Sequence, residues 1–301
     1  MTIRVCFINF WPGAFDSANN VGFLIYLFSQ AFGTIERTDD VHSASVVVSS
    51  VFGREPSPAH KTIQYIGENA RPNFAVCRYA LSFDYDSYCG RNQRLPLWWW
   101  RLNWPGFERM QPRTTPEPGA SNHGFEPLIE IDALLRPRPL ENPAARQFLV
   151  LVAGNPEPLR IALYMAMQGI GPTVGYGNMF RNPLRRSKFE VLSQFRFCLC
   201  PENGIYPGYH TEKLVDAWYG GCVPLYSGDR MLDRDFNPRA LVNYQDVLQM
   251  DAFIESVRRL ENDPEAYRAV HGEPLLLARP SLTAAVQFLR AAVAEIQRTA
   301  Q

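Results

Sequence analysis

The chain has 301 residues, 46 % of them hydrophobic, and its 30 basic and 30 acidic side chains balance to zero formal charge. That length suits one large domain or two medium ones with a real core. The lack of a basic stripe argues against nucleic acid as a partner, and no apolar run reaches the length of a transmembrane helix.

Residues 1–15 show no basic stretch followed by an apolar one, so no secretory leader is expected. Residues 4–10 read as a first strand ending at Trp11-Pro12-Gly13, and 20–33 as a helix with Phe23, Leu24, Leu27 and Phe28 turned inward. Residues 44–51, 62–66 and 79–83 read as buried strands. Short strands alternating with helical stretches predict a parallel sheet with helices on its faces. Proline is dense over 103–145, which reads as a long ordered connection. A second α/β unit follows: a strand at 148–153, helices near 158–168 and 184–194, and a Gly175-Tyr176-Gly177 turn between them. The last 50 residues read as helices at 251–262, 264–271 and 281–299. The expected domains are 1–145, 146–280 and a final helix at 281–301 that returns to the first domain.

The most informative stretch is 195–228. An apolar strand at 195–200 delivers Glu202 and Asn203 to a loop with Gly204, Pro207 and Gly208. A helix is expected to start near Thr211, a good N-cap type, with Leu214, Val215, Trp218 and Tyr219 as its apolar face. A second strand, 222–226, ends at Ser227-Gly228. Ligands gather where the strands of such a βαβ unit end. Lys213 lies in the first helical turn, where the helix dipole disfavours a cation. A bound anion would reverse that sign, and helix N-termini favour phosphate. Glu212 beside it suits sugar hydroxyls instead. The plain alternative is a solvated Glu-Lys pair on a surface helix.

Glu202-Asn203, five residues, then Tyr209-x-Thr211-Glu212-Lys213 resembles the donor signature of the α-1,3/α-1,4-fucosyltransferase family. Val223-Pro224-Leu225-Tyr226-Ser227-Gly228 and Asp235-Phe236-Asn237-Pro238 also resemble it, most of all its bacterial branch. So does Gly67-Glu68-Asn69 with Pro72-Asn73-Phe74, which is similar to the acceptor-side motif. The resemblance implies an α/β fold of two Rossmann-like domains facing a cleft, the GT-B architecture. It implies an inverting transferase that moves L-fucose from GDP-β-L-fucose to a glycan hydroxyl, the 3-OH of a GlcNAc or glucose unit, giving an α-1,3 or α-1,4 linkage. Glu68 then corresponds to the general base, and Arg160, near a helix start after Asn155-Pro156, to a pyrophosphate ligand. On residues alone, Arg160 reads equally as a solvated surface arginine and Glu68 as a turn carboxylate. Tyr209, Glu212 and Asn203 would hold ribose or fucose, and Glu202 or Glu212 would face the positive charge of the transition state. Trp11, Asn69 and Trp99 are acceptor-side candidates. The run Leu97-Trp98-Trp99-Trp100 reads as sugar-stacking rings or, by the usual habit of aromatics, as core.

No metal site is expected. Asp84-Tyr85-Asp86 matches an Asp-x-Asp pattern but lies far in sequence from the phosphate cluster, and two cations suffice for a diphosphate. No cofactor is required on this reading, and a divalent cation is at most a stimulant. The five histidines show no ligand spacing. Cys6, Cys198, Cys200 and Cys222 lie in apolar runs, and Cys198 and Cys200 share one strand face. Buried thiols imply a reducing, cytoplasmic setting, peripheral at most to the inner face of a membrane. The chain is expected to lack the N-terminal anchor of animal family members and the heptad-repeat tail of some bacterial ones. Expected partners are GDP-fucose and an oligosaccharide acceptor, either LacNAc- or lactose-like or a lipopolysaccharide glycan. The competing readings are a transferase for another GDP-sugar such as GDP-mannose, and a catalytically silent carbohydrate-binding or nucleotide-binding protein of the same fold.

Overall fold

The computed structural model describes residues 2–10, 19–107, 126–139 and 145–299. Trp11 and much of the proline-rich connection lie outside the described residues. The described chain forms two compact units. One lies within Met1–Trp100, Pro105–Gln111 and Pro280–Gln301, the other within Arg101–Trp104 and Pro112–Arg279.

The first unit is built on a six-stranded sheet, parallel throughout, in the order β2-β1-β3-β4-β5-β6. The strands are β1 (Ile3–Ile8), β2 (Ile35–Arg37), β3 (Val46–Ser49), β4 (Thr62–Tyr65), β5 (Tyr79–Ser82) and β6 (Asn92–Arg94). All residues of β3, β4 and β5 are buried, as parallel strands covered on both faces must be. β2 and β6 are short, polar edge strands and carry no apolar signal in the sequence. The Thr283–Thr299 helix lies beside the Asn19–Phe32 helix in this unit. Arg290 Nε donates to the Ala31 carbonyl at 2.8 Å, a cation at the C-terminal end of that helix. Arg78 holds Glu295 at 2.5 Å and Thr299 at 2.8 Å.

The three consecutive tryptophans occupy a 3-10 turn, Leu97–Arg101, and not a strand. Trp98 and Trp100 are buried and Trp99 is half-buried. The first and third rings therefore fill core, and only the middle one reaches the surface.

The second unit has a five-stranded parallel sheet in the order β11-β10-β9-β7-β8. Its strands are β7 (Gln147–Val152), β8 (Thr173–Tyr176), β9 (Phe195–Pro201), β10 (Val223–Ser227) and β11 (Val242–Asn243). β8 corrects the expected glycine turn. Gly175 lies in the strand, and it is glycine because a Cβ there would meet the Phe180 ring at 2.4 Å. Gly177 follows at φ +98°, where a Cβ would strike the Ala153 carbonyl oxygen at 2.3 Å. The chain runs from β7 to β8 on one side and then to β9 on the other, so the order reverses between β7 and β9. That crevice is where an open α/β sheet binds ligands. Residues 126–139, read from sequence as connection, are held within this unit. Arg138 donates to the carbonyls of His271, Trp218 and Cys222 at 2.7–2.9 Å.

A charged cluster anchors the Lys213–Tyr219 helix from beneath. Asp216, fully buried, accepts from Arg101 Nε at 2.7 Å and Lys188 Nζ at 2.8 Å. Burial alone would raise its pKa, but Arg101 and Lys188 outweigh it and hold the carboxyl below its ordinary range. Glu126 accepts from the Ser187 hydroxyl at 2.6 Å and from the Lys188 amide, tying the Lys188–Leu192 helix to the same cluster.

Asp216→Asn keeps the shape and removes the charge that both cations face. The expected loss is about 3–5 kcal/mol, as for breaking a buried ion pair from one side, read by urea denaturation at pH 7. Because the folded pKa is depressed, Asp216 contributes above about pH 4, its unfolded value, and that contribution fades as pH falls through the lower folded value.

Candidate functional site

The β7 and β9 ends meet at the crevice of the second unit. After β7 the chain passes through Ala153-Gly154-Asn155-Pro156-Glu157 into the Pro158–Gln168 helix. Pro158 is its first residue, where a missing N–H costs nothing. β9 delivers Pro201, Glu202 and Asn203. Between them lies a concave site of about 350 Å³, lined by Glu157, Arg160, Glu202, Asn203, Ile205 and Ser227 among others.

Arg160 is not a surface arginine; it is 2 % exposed. Its guanidinium donates to the Asn155 carbonyl, to the Pro201 carbonyl at 3.3 Å and to Asn203 Oδ1 at 2.7 Å. It thus staples the two strand ends together. Nε is left without a hydrogen-bond partner. Burial lowers its pKa, opposed by Glu157, Glu202 and Tyr209. A cation that costs this much to bury becomes favourable when an anion binds beside it.

Glu202 is 6 % exposed and accepts three bonds. They come from the Thr211 amide at 2.9 Å, the Thr211 hydroxyl at 2.7 Å and Lys213 Nζ at 2.8 Å. Lys213 also donates to Thr211 Oγ1 at 2.8 Å, closing a triangle. Thr211 is therefore not the helix N-cap that its residue type predicts. Glu212 occupies the cap without a side-chain bond, because Glu202 has already claimed the Thr211 hydroxyl. The anion that Lys213 needed in the first helical turn is supplied by the protein itself. Burial works against the Lys213 charge, but Glu202 and then Glu212 outweigh it and raise its pKa. With its side chain 18 % exposed, Lys213 is neither solvated nor paired with its neighbour in sequence. Tyr209 is buried and close enough to Arg160 to affect its charge, while Glu212 is half-buried.

In the first unit, Glu68 follows β4 at the carboxyl end of the sheet and is half-buried. Gln64 on β4 accepts from the Asn73 amide at 2.8 Å, and the Glu68 carbonyl accepts from Ala70 at 2.6 Å, which fixes the turn. Asn69 is exposed and accepts from Arg71 at 3.2 Å. Trp99 packs edge-on to Trp98 with ring centroids 6.3 Å apart. Asp84 is engaged in its own turn, accepting from Tyr88 OH at 2.6 Å and the Asp86 amide at 3.1 Å.

The structure thus gathers Arg160, Glu202, Asn203, Tyr209 and Lys213 in the second unit and places Glu68, Asn69 and Trp99 in the first. Trp11 lies outside the described residues. Sequence reasoning missed Thr211 as a ligand of Glu202. It also missed His210, Asp229 and Asp235, which brace the same loop. Asp235 lay within a quoted motif, but nothing in its spacing pointed to His210.

The chain is similar to known proteins in sequence and in fold. The model for the N-terminal domain of α-(1,3)-fucosyltransferase FucT matches residues 5–100, and that for the C-terminal part of glycosyltransferase family 10 (fucosyltransferase) matches 148–272. The chain belongs to the fucosyltransferase family. The α-(1,3)-fucosyltransferase FucT of Helicobacter pylori is 35 % identical over 221 residues, 69 % of this chain and 45 % of that protein. An Arabidopsis thaliana α-(1,4)-fucosyltransferase is 32 % identical over 81 residues, 27 % of this chain and 20 % of that one. The crystal structure of an α1,3-fucosyltransferase with GDP-fucose superimposes with a TM-score of 0.73 at 25 % identity, covering 97 % of this chain and 90 % of that one. This is the two-sheet α/β fold of GT-B glycosyltransferases. The chain spans less than half the length of the curated relatives it matches. Among the described residues, no helix is long and apolar enough to cross a membrane.

In this family member Arg160→Lys tests the staple. One ammonium cannot reach Asn155, Pro201 and Asn203 together. Unit two is expected to lose about 1–3 kcal/mol, the cost of buried groups left unpaired, by urea denaturation, with faster amide exchange at residues 202–205.

Proposed function

We propose that the chain transfers L-fucose from GDP-β-L-fucose to a glycan hydroxyl, forming an α-1,3 linkage with inversion. The observation that carries this reading is the cationic pair Arg160 and Lys213 set around Glu202 and Asn203 at the β7–β9 crevice, in a chain of this family. The linkage follows the names of the relative from Helicobacter pylori and of the solved structure.

In the proposed step, the acceptor oxygen attacks the anomeric carbon from the face opposite GDP. The bond from that carbon to the β-phosphate oxygen breaks, its electrons leave with GDP, and the acceptor proton passes to Glu68. Arg160 and Lys213 stabilise the charge growing on the leaving group. Thr211 and Lys213 already occupy the Glu202 carboxylate, so the positive charge on the fucosyl ring is assigned to Glu212. Asn203, exposed to solvent on the lining of the site, orients the sugar. Two fixed cations do the work of a metal at the diphosphate, so none is required. The acceptor is a GlcNAc- or glucose-containing oligosaccharide, LacNAc- or lactose-like or part of a lipopolysaccharide. The six cysteines are free thiols, with Cys198 and Cys200 sulfurs 3.7 Å apart, which suits the cytoplasm.

Two variants separate the roles. Lys213→Ala should weaken GDP binding by roughly 1.5–3 kcal/mol, one charge-assisted hydrogen bond, measured by calorimetry; unchanged affinity removes Lys213 from the site. Glu68→Gln retains the shape but cannot take the proton, so transfer should fall roughly 10²–10⁴-fold with GDP affinity near wild type. Near-full transfer by a folded Glu68→Gln protein would place the base elsewhere.

A screen of GDP-sugars against glycan acceptors, with product linkage determined, decides among the donor alternatives. Turnover of GDP-mannose without GDP-fucose would replace the donor, and GDP binding without any transfer would leave a silent binding protein. Full activity is expected after exhaustive EDTA treatment; a loss restored only by metal would reopen Asp84 and Asp86.

A further inference from the structure

His210 fills the position that the Tyr-x-Thr-Glu-Lys pattern leaves open, and it is fully buried. Its ring lies between two carboxylates from other segments. Nδ1 is hydrogen-bonded to Asp235 Oδ2 at 2.7 Å, and the buried Nε2 lies 3.2 Å from Asp229 Oδ2, within ion-pair reach but off the hydrogen-bond line. The Tyr226 and Phe236 rings stand edge-on to it at 6.3 and 5.6 Å. Asp229 is itself fixed, accepting from the Gly208 amide at 2.6 Å and from Met231 at 3.0 Å. Gly208 has φ +82°, a conformation that other residues adopt with strain.

A neutral imidazole has one N–H, and ionised carboxylates only accept. A neutral ring would therefore turn a lone pair toward one of the two aspartates in a dry site. Only the imidazolium presents an N–H and a positive charge to both carboxylates. We infer that His210 is a positioning residue for the donor site, held as an imidazolium that clamps the 203–213 loop onto Asp229 and Asp235. This rests on the reading of that loop as the donor site.

The loop is also held to Asp229 through the Gly208 amide. Past His210 its next anchor is Thr211, which organises Glu202 and Lys213. Deprotonating His210 removes a donor from one aspartate, loosens the loop between Gly208 and Thr211, and so weakens the Glu202–Lys213 arrangement without touching it. Among the described residues, the charged or titratable groups facing the ring are Asp229, Asp235 and the Tyr226 phenol. The phenol is raised by burial and by Glu202 and stays neutral. Burial opposes the His210 charge, but the two aspartates outweigh it and raise its pKa, while Asp229 is lowered despite its burial. The sign follows. With the folded pKa above the free value of about 6.5, the clamp is intact below that pH and is lost as pH rises through the folded pKa. GDP binding should weaken in the same range. The terminal phosphate of GDP itself ionises near pH 6, so the comparison is between wild type and variant at matched pH, where the titration of the ligand cancels.

The first test is the protonation state in the unaltered full chain, by nitrogen-15 NMR of histidine rings, with His210→Gln to assign the signal. Both His210 nitrogens are expected to carry protons at pH 7.5; one protonated and one bare nitrogen would overturn the inference. The second test is GDP calorimetry from pH 6 to 9. His210→Gln should bind about tenfold more weakly at pH 6.5, the loss of one charge-assisted bond, and raise donor KM more than it lowers kcat. Asp235→Asn is the rescue. An amide at 235 donates to Nδ1, so a neutral ring protonated on Nε2 meets both partners, and GDP binding should lose the share of its pH dependence that comes from His210. Retention of the wild-type pH dependence in Asp235→Asn would overturn the clamp. A wild-type chain that fails to bind GDP at all, with His210 doubly protonated, would instead refute the donor reading.

Discussion

One buried carboxylate organises the second unit's site. Glu202 leaves β9 with almost no water around it, and a bare carboxylate there would be costly. Three donors from residues 211 and 213 satisfy it. Meeting that demand sets the geometry of everything nearby. It bends the loop back so that Thr211 faces the strand end. It starts the Lys213–Tyr219 helix at Lys213 and not at the residue type best suited to cap it. It also fixes an ammonium beside the helix start, where a free lysine would turn away. Arg160 makes the complementary closure on the other side, holding Asn155, Pro201 and Asn203.

The interior of this unit carries several more charges, and each is settled by its neighbours. Asp216 beneath the same helix is ionised because Arg101 and Lys188 both reach it. Two buried histidines, His210 and His271, go opposite ways. His271 lies near Arg138 and Arg146, and burial with those two cations drives its pKa down to about 3, so its ring is neutral. His210 meets two aspartates and is driven up. Neither residue's own chemistry predicts this. What decides is which charges the fold brings within a few ångströms.

That also explains what the sequence made legible. The buried strands β3, β4, β5, β7, β9 and β10 show as apolar runs, since parallel strands covered on both faces must be apolar throughout. The Pro158–Gln168 helix and the closing helices show by their periodicity. The short edge strands β2, β6 and β11 do not show, because three or two half-polar residues carry no pattern. β8 hid behind glycines that serve the packing of Phe180 and Ala153, a contact invisible in one dimension. At the site, the residue types of the donor signature were readable and their pairings were not. Lys213 looked like a partner for Glu212 next door, yet its bond is to Glu202, eleven residues back. Arg160 looked exposed because its partners sit at two different strand ends. Local spacing names the participants, and the sheet topology decides who meets whom.

The closing helix has a consequence for synthesis. Thr283–Thr299 belongs to the first unit, where Arg290 grips the Asn19–Phe32 helix and Glu295 grips Arg78. A ribosome makes the sheet of this unit early, yet withholds its last layer until the whole second unit has been joined. The second unit, drawn from Arg101–Trp104 and Pro112–Arg279, has every element it needs before then. The order of completion is therefore the reverse of the order of translation. At about 5–20 residues per second, the early sheet waits tens of seconds with one apolar flank uncovered, which marks that flank as the surface a chaperone would be called on to shield.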